Sequence, residues 1–262
     1  MLPDFKLIKH KFPDNNDIEI WPISDVHLGA AEHNAEAWGA FCRELEQREN
    51  AYLVLGGDLI NNSVRSSIGN GVFTETMRPR EQKKRMAEML SPLRSKVLAA
   101  VSGNHERRSG KDADDDPTYD ILCQLDLETV YRENMAFVKL HFGPEQIDGT
   151  RNPTYILVVT HGASGGILTG GVVNRAERFG YVLDGADVLI LGHSHKPFVT
   201  QPTKIKINAQ RDTISFKPFK VVSTTSWMDY GGYAMQKMLP PTSIAPQIIK
   251  LYGNKKKIEV TM

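Results

Sequence analysis

Five short motifs constrain this chain more than any other feature: Asp25-Val26-His27, Gly57-Asp58, Gly103-Asn104-His105, His161-Gly162 and Gly192-His193-Ser194-His195. Together they use five of its eight histidines. Each follows a short apolar run of the kind that forms a covered strand, such as Tyr52-Leu53-Val54-Leu55 before Asp58. The motifs can act together only in a fold that brings several strand ends to one edge. Units of strand, helix and parallel strand do this, and open sheets of that kind bind ligands at the carboxyl ends of their strands.

The rest of the pattern fits such an α/β fold. Residues 5–12 and 17–23 flank the turn-forming Pro13-Asp14-Asn15-Asn16, which predicts an opening β-hairpin whose second strand delivers Asp25. Across residues 34–50, Trp38, Phe41, Cys42 and Leu45 recur at helical spacing, so strand, helix and strand lead from Asp25 to Asp58. A second helix begins near Pro79 with Met86, Met89, Leu90 and Leu93 as its apolar stripe, and residues 97–101 form the strand before Asn104. A polar loop is expected next, ending at Asp116-Pro117, an N-cap and first-turn proline for a short helix. Residues 136–142, 155–160 and 187–191 read as strands. Beyond His195 a period of two dominates, and residues 247–262 predict a hairpin turning at Gly253-Asn254. With no repeat or convincing linker, residues 1–262 read as one domain.

Composition removes several function classes. No apolar run approaches the roughly 20 residues of a membrane helix, and the N-terminus lacks the continuous apolar stretch of a secretory signal, so a cytoplasmic protein with no membrane role is expected. Cys42 and Cys123 stand far apart without a CxxC, which argues against a disulfide framework or a thiolate zinc site. A net charge of +1 gives no global attraction to nucleic acid and leaves a local basic patch open.

The motif residues are carboxylates, imidazoles and one carboxamide, a donor set suited to divalent ions of borderline hardness. Two such ions ~4 Å apart repel by about 16 kcal/mol at an effective dielectric of ~20, so anions must bridge them. Asp58, alone on its turn, is the candidate bridge, one oxygen to each ion, with hydroxide as the second. Water held this way ionises near neutral pH and becomes a nucleophile for phosphorus.

The wording DVHLG, GGDL, GNHE, THG and GHSH resembles the calcineurin-like metallophosphoesterase superfamily over residues 25 to 195. That resemblance implies a four-layer αββα sandwich of two mixed β-sheets flanked by helices. It implies one metal on Asp25, His27, Asp58 and His195, a second on Asp58, Asn104, His161 and His193, and His105 as general acid. Mn²⁺ is the favoured ion, with Fe²⁺, Zn²⁺ or Ni²⁺ as alternatives. Phosphoprotein phosphatases of the superfamily carry an aspartate three residues after the bridging aspartate, where Asn61 stands here, and the arginine that follows it there is also missing. An amide cannot stabilise an imidazolium as a carboxylate does, although Glu106 could compensate. The motifs are closer to the metal-dependent exonuclease of double-strand-break repair and to small prokaryotic or viral phosphodiesterases. The expected activity is therefore hydrolysis of a phosphodiester, in a nucleotide, DNA or RNA, by hydroxide activated at a dinuclear centre. A phosphomonoesterase and a non-catalytic metal-binding scaffold remain as alternatives, and the sequence leaves the oligomeric state open.

Weaker signals have plain readings beside functional ones. Arg107 and Arg108 could clamp a phosphate or sit on a solvated loop. The acidic run Asp112, Asp114, Asp115 and Asp116 suits a helix N-terminus without any ligand. Seven basic residues in 78–96 describe the solvent face of an amphipathic helix, or a nucleic-acid track. Residues 162–171 read as a mobile glycine-rich loop beside His161. Trp227 and Tyr230 could stack a base or pack in a core. His10, His33 and His141 read as structural or exposed.

Overall fold

A computed structural model describes residues 3–65, 67, 71–144, 152–163 and 166–262. Its elements in chain order are β1 (Ile8–Phe12), β2 (Ile18–Ile23), α1 (Ala35–Gln47), β3 (Ala51–Leu55), α2 (Gly71–Thr74), α3 (Pro79–Leu90), β4 (Val97–Val101), α4 (Glu106–Ala113) and α5 (Pro117–Cys123). There follow β5 (Tyr131–Arg132), β6 (Met135–Phe142), β7 (Thr154–Thr160), α6 (Thr169–Val182), β8 (Val188–Leu191), β9 (Phe198–Thr200), β10 (Thr203–Asn208) and β11 (Thr213–Pro218). The last are β12 (Lys220–Ser223), α7 (Gly232–Gln236), β13 (Ile248–Leu251) and β14 (Ile258–Thr261).

Among the described residues two six-stranded mixed sheets form the frame, one in the order β1-β6-β7-β8-β12-β9 and the other β14-β13-β2-β3-β4-β5, with β10 and β11 as a separate ribbon. The layers follow from where the apolar side chains go. Ile20, Val54, Leu98, Leu140, Leu157, Ile190 and Leu251 fill the space between the two sheets. Trp21, Ile23, Leu53 and Leu55 face the other way, onto Trp38, Phe41 and Leu45 of α1 and Met86 and Leu90 of α3. Val158 and Leu189 carry Val172 and Ala176 of α6 on the outer face of the first sheet. Helices, sheet, sheet and helix make the four layers expected.

Local signals explain most element limits. Asn34 caps α1 by accepting the Ala37 N–H at 2.8 Å, and Asp116 caps α5 through the Tyr119 N–H at 3.1 Å. β13 and β14 pair as the predicted terminal hairpin, Leu251 opposite Ile258. β2, β3 and β4 run parallel, as do β7, β8 and β12, so their carboxyl ends meet at one edge.

Two expectations fail. The opening hairpin does not form: β1 pairs parallel with β6, and β2 lies in the other sheet between β13 and β3. β2 is apolar on both faces, sending Ile18 and Ile20 to the inter-sheet core and Trp21 and Ile23 to the helices, and a strand with two faces to cover belongs at a sheet centre. The polar loop after His105 is instead the helix α4. Its anchors are the buried Glu106 and Ser109, so it has no apolar stripe to read.

Candidate metal centre

All five motifs lie at that shared edge. Asp25 and His27 follow β2, Asp58 follows β3, Asn104 and His105 follow β4, His161 follows β7, and His193 and His195 follow β8. Five of these residues, Asp25, His27, Asp58, His193 and His195, have φ between 47° and 67°. Left-handed backbone is costly for residues with a Cβ and persists where surrounding structure enforces it, commonly at functional sites. The loops here are tied together: Asp25 N–H donates to the Gly57 carbonyl at 3.1 Å, His27 N–H to Asp58 at 3.0 Å, and Trp227 N–H to Asp25 at 3.0 Å. Space is equally restricted. A Cβ at Gly103 would overlap the Asp58 carboxylate, and one at Gly192 would overlap Ser24 Oγ and Asp25 Oδ2.

The side chains form two adjoining groups. In one, His27 Nε2 and His195 Nε2 are 3.1 Å apart, and Asp25 Oδ1 is 3.2 Å from His195 Nε2 and 3.9 Å from His27 Nε2. In the other, Asn104 Oδ1 lies 2.9 Å from His161 Nε2 and 2.5 Å from His193 Nδ1, with those two ring nitrogens 3.2 Å apart. Asp58 Oδ2 links them, 3.8 Å from His27 Nε2 and 3.3 Å from His161 Nε2. Its other oxygen, Oδ1, accepts the His105 backbone N–H at 2.8 Å, so a single oxygen faces both groups instead of one facing each. His105 Nε2 also stands 3.8 Å from Asp58 Oδ2.

These residues fit divalent cations on donor chemistry alone. His161 Nδ1 is held by the Gly56 carbonyl at 2.8 Å, which fixes the ring and turns Nε2 inward. Burial works against charge on His161, but the Asp58 carboxylate outweighs it and the pKa rises to about 10. His195 is also raised: burial opposes its charge and the Asp25 carboxylate favours it. Asp25 in turn is lowered to about 2, its burial more than offset by His195. Burial holds His27, His105 and His193 below the ordinary imidazole value. Convergent nitrogen and oxygen donors thus meet here, with the carboxylates favouring positive charge on His161 and His195 and burial keeping the other three rings neutral.

The residues around the cluster hold its loops and rings in place. Glu106, fully buried, accepts backbone N–H groups from Asp58 at 2.9 Å, Leu59 at 2.7 Å, Ile60 at 3.2 Å and Gly103 at 3.0 Å. It makes no bond to His105 among these; it welds the Asp58 loop to the Asn104 loop. Burial, with the Asp58 charge, raises its pKa to about 7 against the pull of those donors. His105 Nδ1 donates to the Asn61 carbonyl at 2.8 Å, and Arg108 donates to His105 Nε2 at 2.8 Å. Arg107 turns away and donates to the Ser102 carbonyl at 2.7 Å.

Sequence reasoning missed the clamp by Glu106 and the support of Asp25 by Ser24, whose hydroxyl bonds both the Asp25 carboxylate and Thr224. Their adjacency to motif residues was the available signal. His33 lies outside the two groups, with Nδ1 on the Val26 carbonyl at 2.8 Å. Trp227 is core, packed against Trp38 and Phe41, whereas Tyr230 is exposed with its hydroxyl on the Leu239 carbonyl. Part of the glycine-rich stretch, residues 164 and 165, lies outside the described residues; residues 169–171 already belong to α6.

A family model described as calcineurin-like phosphoesterase matches residues 18–197. No curated protein matches the sequence significantly. Among solved structures, a metallophosphoesterase from Sphaerobacter thermophilus aligns over 93% of this chain and 87% of its own at 16% identity and a TM-score of 0.41. A conserved protein of Streptococcus pneumoniae, described as a predicted phosphoesterase, aligns over 93% and 88% at 11% identity and a TM-score of 0.35.

Proposed function

The chain belongs to the calcineurin-like phosphoesterase family, and from that premise we propose that it hydrolyses phosphodiesters of nucleotides or nucleic acid at a centre of two divalent ions, Mn²⁺ foremost. Asp25, His27, Asp58 and His195 would hold one ion, and Asp58, Asn104, His161 and His193 the other. Such ions, when bound, make water nucleophilic near neutral pH and offset charge growing on phosphorus.

The chain's own groups do the rest. Asp58 and Glu106 keep the two ligand loops in register. Asn104, fixed between His161 and His193, would present its carboxamide oxygen as a ligand. His105 delivers a proton from Nε2 to the leaving oxygen while its Nδ1–H stays on the Asn61 carbonyl. Burial lowers its pKa, so the proton is given up readily once present. Arg108, now on His105 Nε2, is placed to move to a phosphate oxygen and free that nitrogen. Arg107, bonded to Ser102, is the weaker phosphate ligand of the pair.

The arrangement of His105 is the observation that carries the diester reading. A carbonyl holds the ring where a carboxylate would keep it an imidazolium, which leaves Arg108 as the cation touching it. A diester monoanion needs less positive charge than a monoester dianion. Two free thiols, Cys42 and Cys123, support a reducing, cytoplasmic location, and the shared inter-sheet core supports one domain over residues 1–262.

Comparing bis- and mono-p-nitrophenyl phosphate with Mn²⁺, Fe²⁺, Zn²⁺ or Ni²⁺ tests the proposal. We expect kcat/KM for the diester to exceed that for the monoester by roughly tenfold or more, with all activity lost to a chelator. Monoester preference would transfer the reading to a phosphomonoesterase. Inactivity on both, with less than one ion bound per chain, would leave a scaffold.

A further inference from the structure

After β9 the chain leaves its sheet as the ribbon β10–β11, which among the described residues pairs only with itself. Its register sorts the side chains into two unlike faces. Lys204 opposes Lys217, Lys206 opposes Ser215 and Asn208 opposes Thr213 on one; Thr203 opposes Pro218, Ile205 opposes Phe216 and Ile207 opposes Ile214 on the other. The polar face meets the body at its base, while Lys206, Thr213 and Ser215 farther along it are exposed. Lys204 donates to the Leu183 carbonyl and covers the Phe219 ring at 5.0 Å, while Lys217 donates to the Gly185 carbonyl at 3.2 Å and pairs with Asp187 at 3.8 Å. The apolar face meets solvent, with Ile205, Ile207, Ile214 and Phe216 exposed by 67, 72, 69 and 73%.

This orientation is the reverse of the usual one for a ribbon on a protein surface. An isolated two-stranded hairpin is marginal in water unless its apolar side is packed, and monomers rarely expose contiguous apolar patches beyond a few hundred Å². We infer that this face is where a second copy of the chain docks, ribbon on ribbon about a two-fold axis.

Three features select that occupant. The face carries no charged side chain, so two identical copies meet without repulsion or charge desolvation, and like surfaces are what an isologous contact requires. A lipid surface would be served by lysines pointing the same way as the isoleucines, whereas Lys204 and Lys217 point oppositely and are engaged. The area also suffices: the four side chains offer roughly 500 Å² per copy, so two ribbons stacked like sandwich sheets bury about 1,000 Å², the lower size of a specific interface. Thr200 pairs with Val221 near the amino end of β12, so the ribbon stands at the opposite end of the sheet from His193 and His195, and docking leaves both centres open.

Light scattering and sedimentation equilibrium from about 1 to about 200 µM test this, since an interface of this size is expected near micromolar affinity. The full chain should approach twice its monomer mass with concentration. Phe216→Glu and, separately, Ile207→Glu should stay monomeric across that range with unchanged hydrolysis per chain and unchanged circular dichroism. In a Cys42→Ser, Cys123→Ser background, Ile207→Cys should form an interchain disulfide on oxidation. A wild-type chain monomeric at every concentration would overturn the inference. So would a dimer that survives both glutamate variants, or a monomer that sediments with phosphatidylglycerol vesicles through this face.

Discussion

The His105 ring donates its Nδ1 proton to the main-chain carbonyl of Asn61 at 2.8 Å, so residue 61 orients that ring through its backbone and not through its side chain. The Asn61 amide points elsewhere, donating to Ser63 Oγ at 3.2 Å and to the Glu75 carboxylate at 3.1 Å. The departure from phosphoprotein phosphatases at this position is therefore a change in how His105 is held.

Asn61→Asp should consequently fail to create a stronger acid. It places two carboxylates where an amide met Glu75, and we expect a loss of about 1 kcal/mol in stability, with kcat/KM within about threefold of wild type. A tenfold rise in monoesterase activity would show that the side chain reaches the ring after all.

Asp58 and His105 should separate by metal content. Asp58→Asn removes the group that links both sets of donors and should leave well under two ions per chain by elemental analysis. His105→Ala should keep both ions while kcat falls by about 10² to 10⁴, less for substrates with good leaving groups. Equal loss of metal in both variants would contradict this division of labour.

Glu106→Ala would orphan four backbone N–H groups in a site with no access to water. We expect about 3 kcal/mol or more of destabilisation by denaturant titration, together with weaker metal binding as the Asp58 and Gly103 loops part. Glu106→Gln, which keeps an acceptor, should recover part of both. Unaltered stability in the alanine variant would refute the clamp.

Protons and metal should compete at His161. Its raised pKa contributes stability that is fully present below its ordinary value of 6.5 and is lost as pH rises through about 10, so metal-free protein should melt lower at pH 10 than at pH 7. Loading with Mn²⁺ at pH 8 should release about one proton or more, seen by calorimetry as a heat that differs between Tris and HEPES. Identical heats in the two buffers would show that His161 enters the site already neutral.

The gathering of the motif residues was legible because each closely follows a strand: Asp25, Asp58, Asn104 and the motif histidines converge at the shared edge where their spacing put them. The partner of β1 was not legible, since a turn between two apolar runs suits a hairpin and a crossing between sheets alike. α4 escaped notice because Glu106 and Ser109 anchor it through polar bonds that periodicity does not register.

By itself the sequence determined which atoms would gather at one edge and hence the class of reaction, because donor type and strand-end position are local properties. The tertiary structure alone decided that one Asp58 oxygen faces both groups, that Glu106 joins their loops, that Asn61 acts through its carbonyl, and that the β10–β11 ribbon turns its isoleucines outward. Each of these depends on the direction in which a side chain points across a gap closed by distant segments, and spacing along a chain carries no such information.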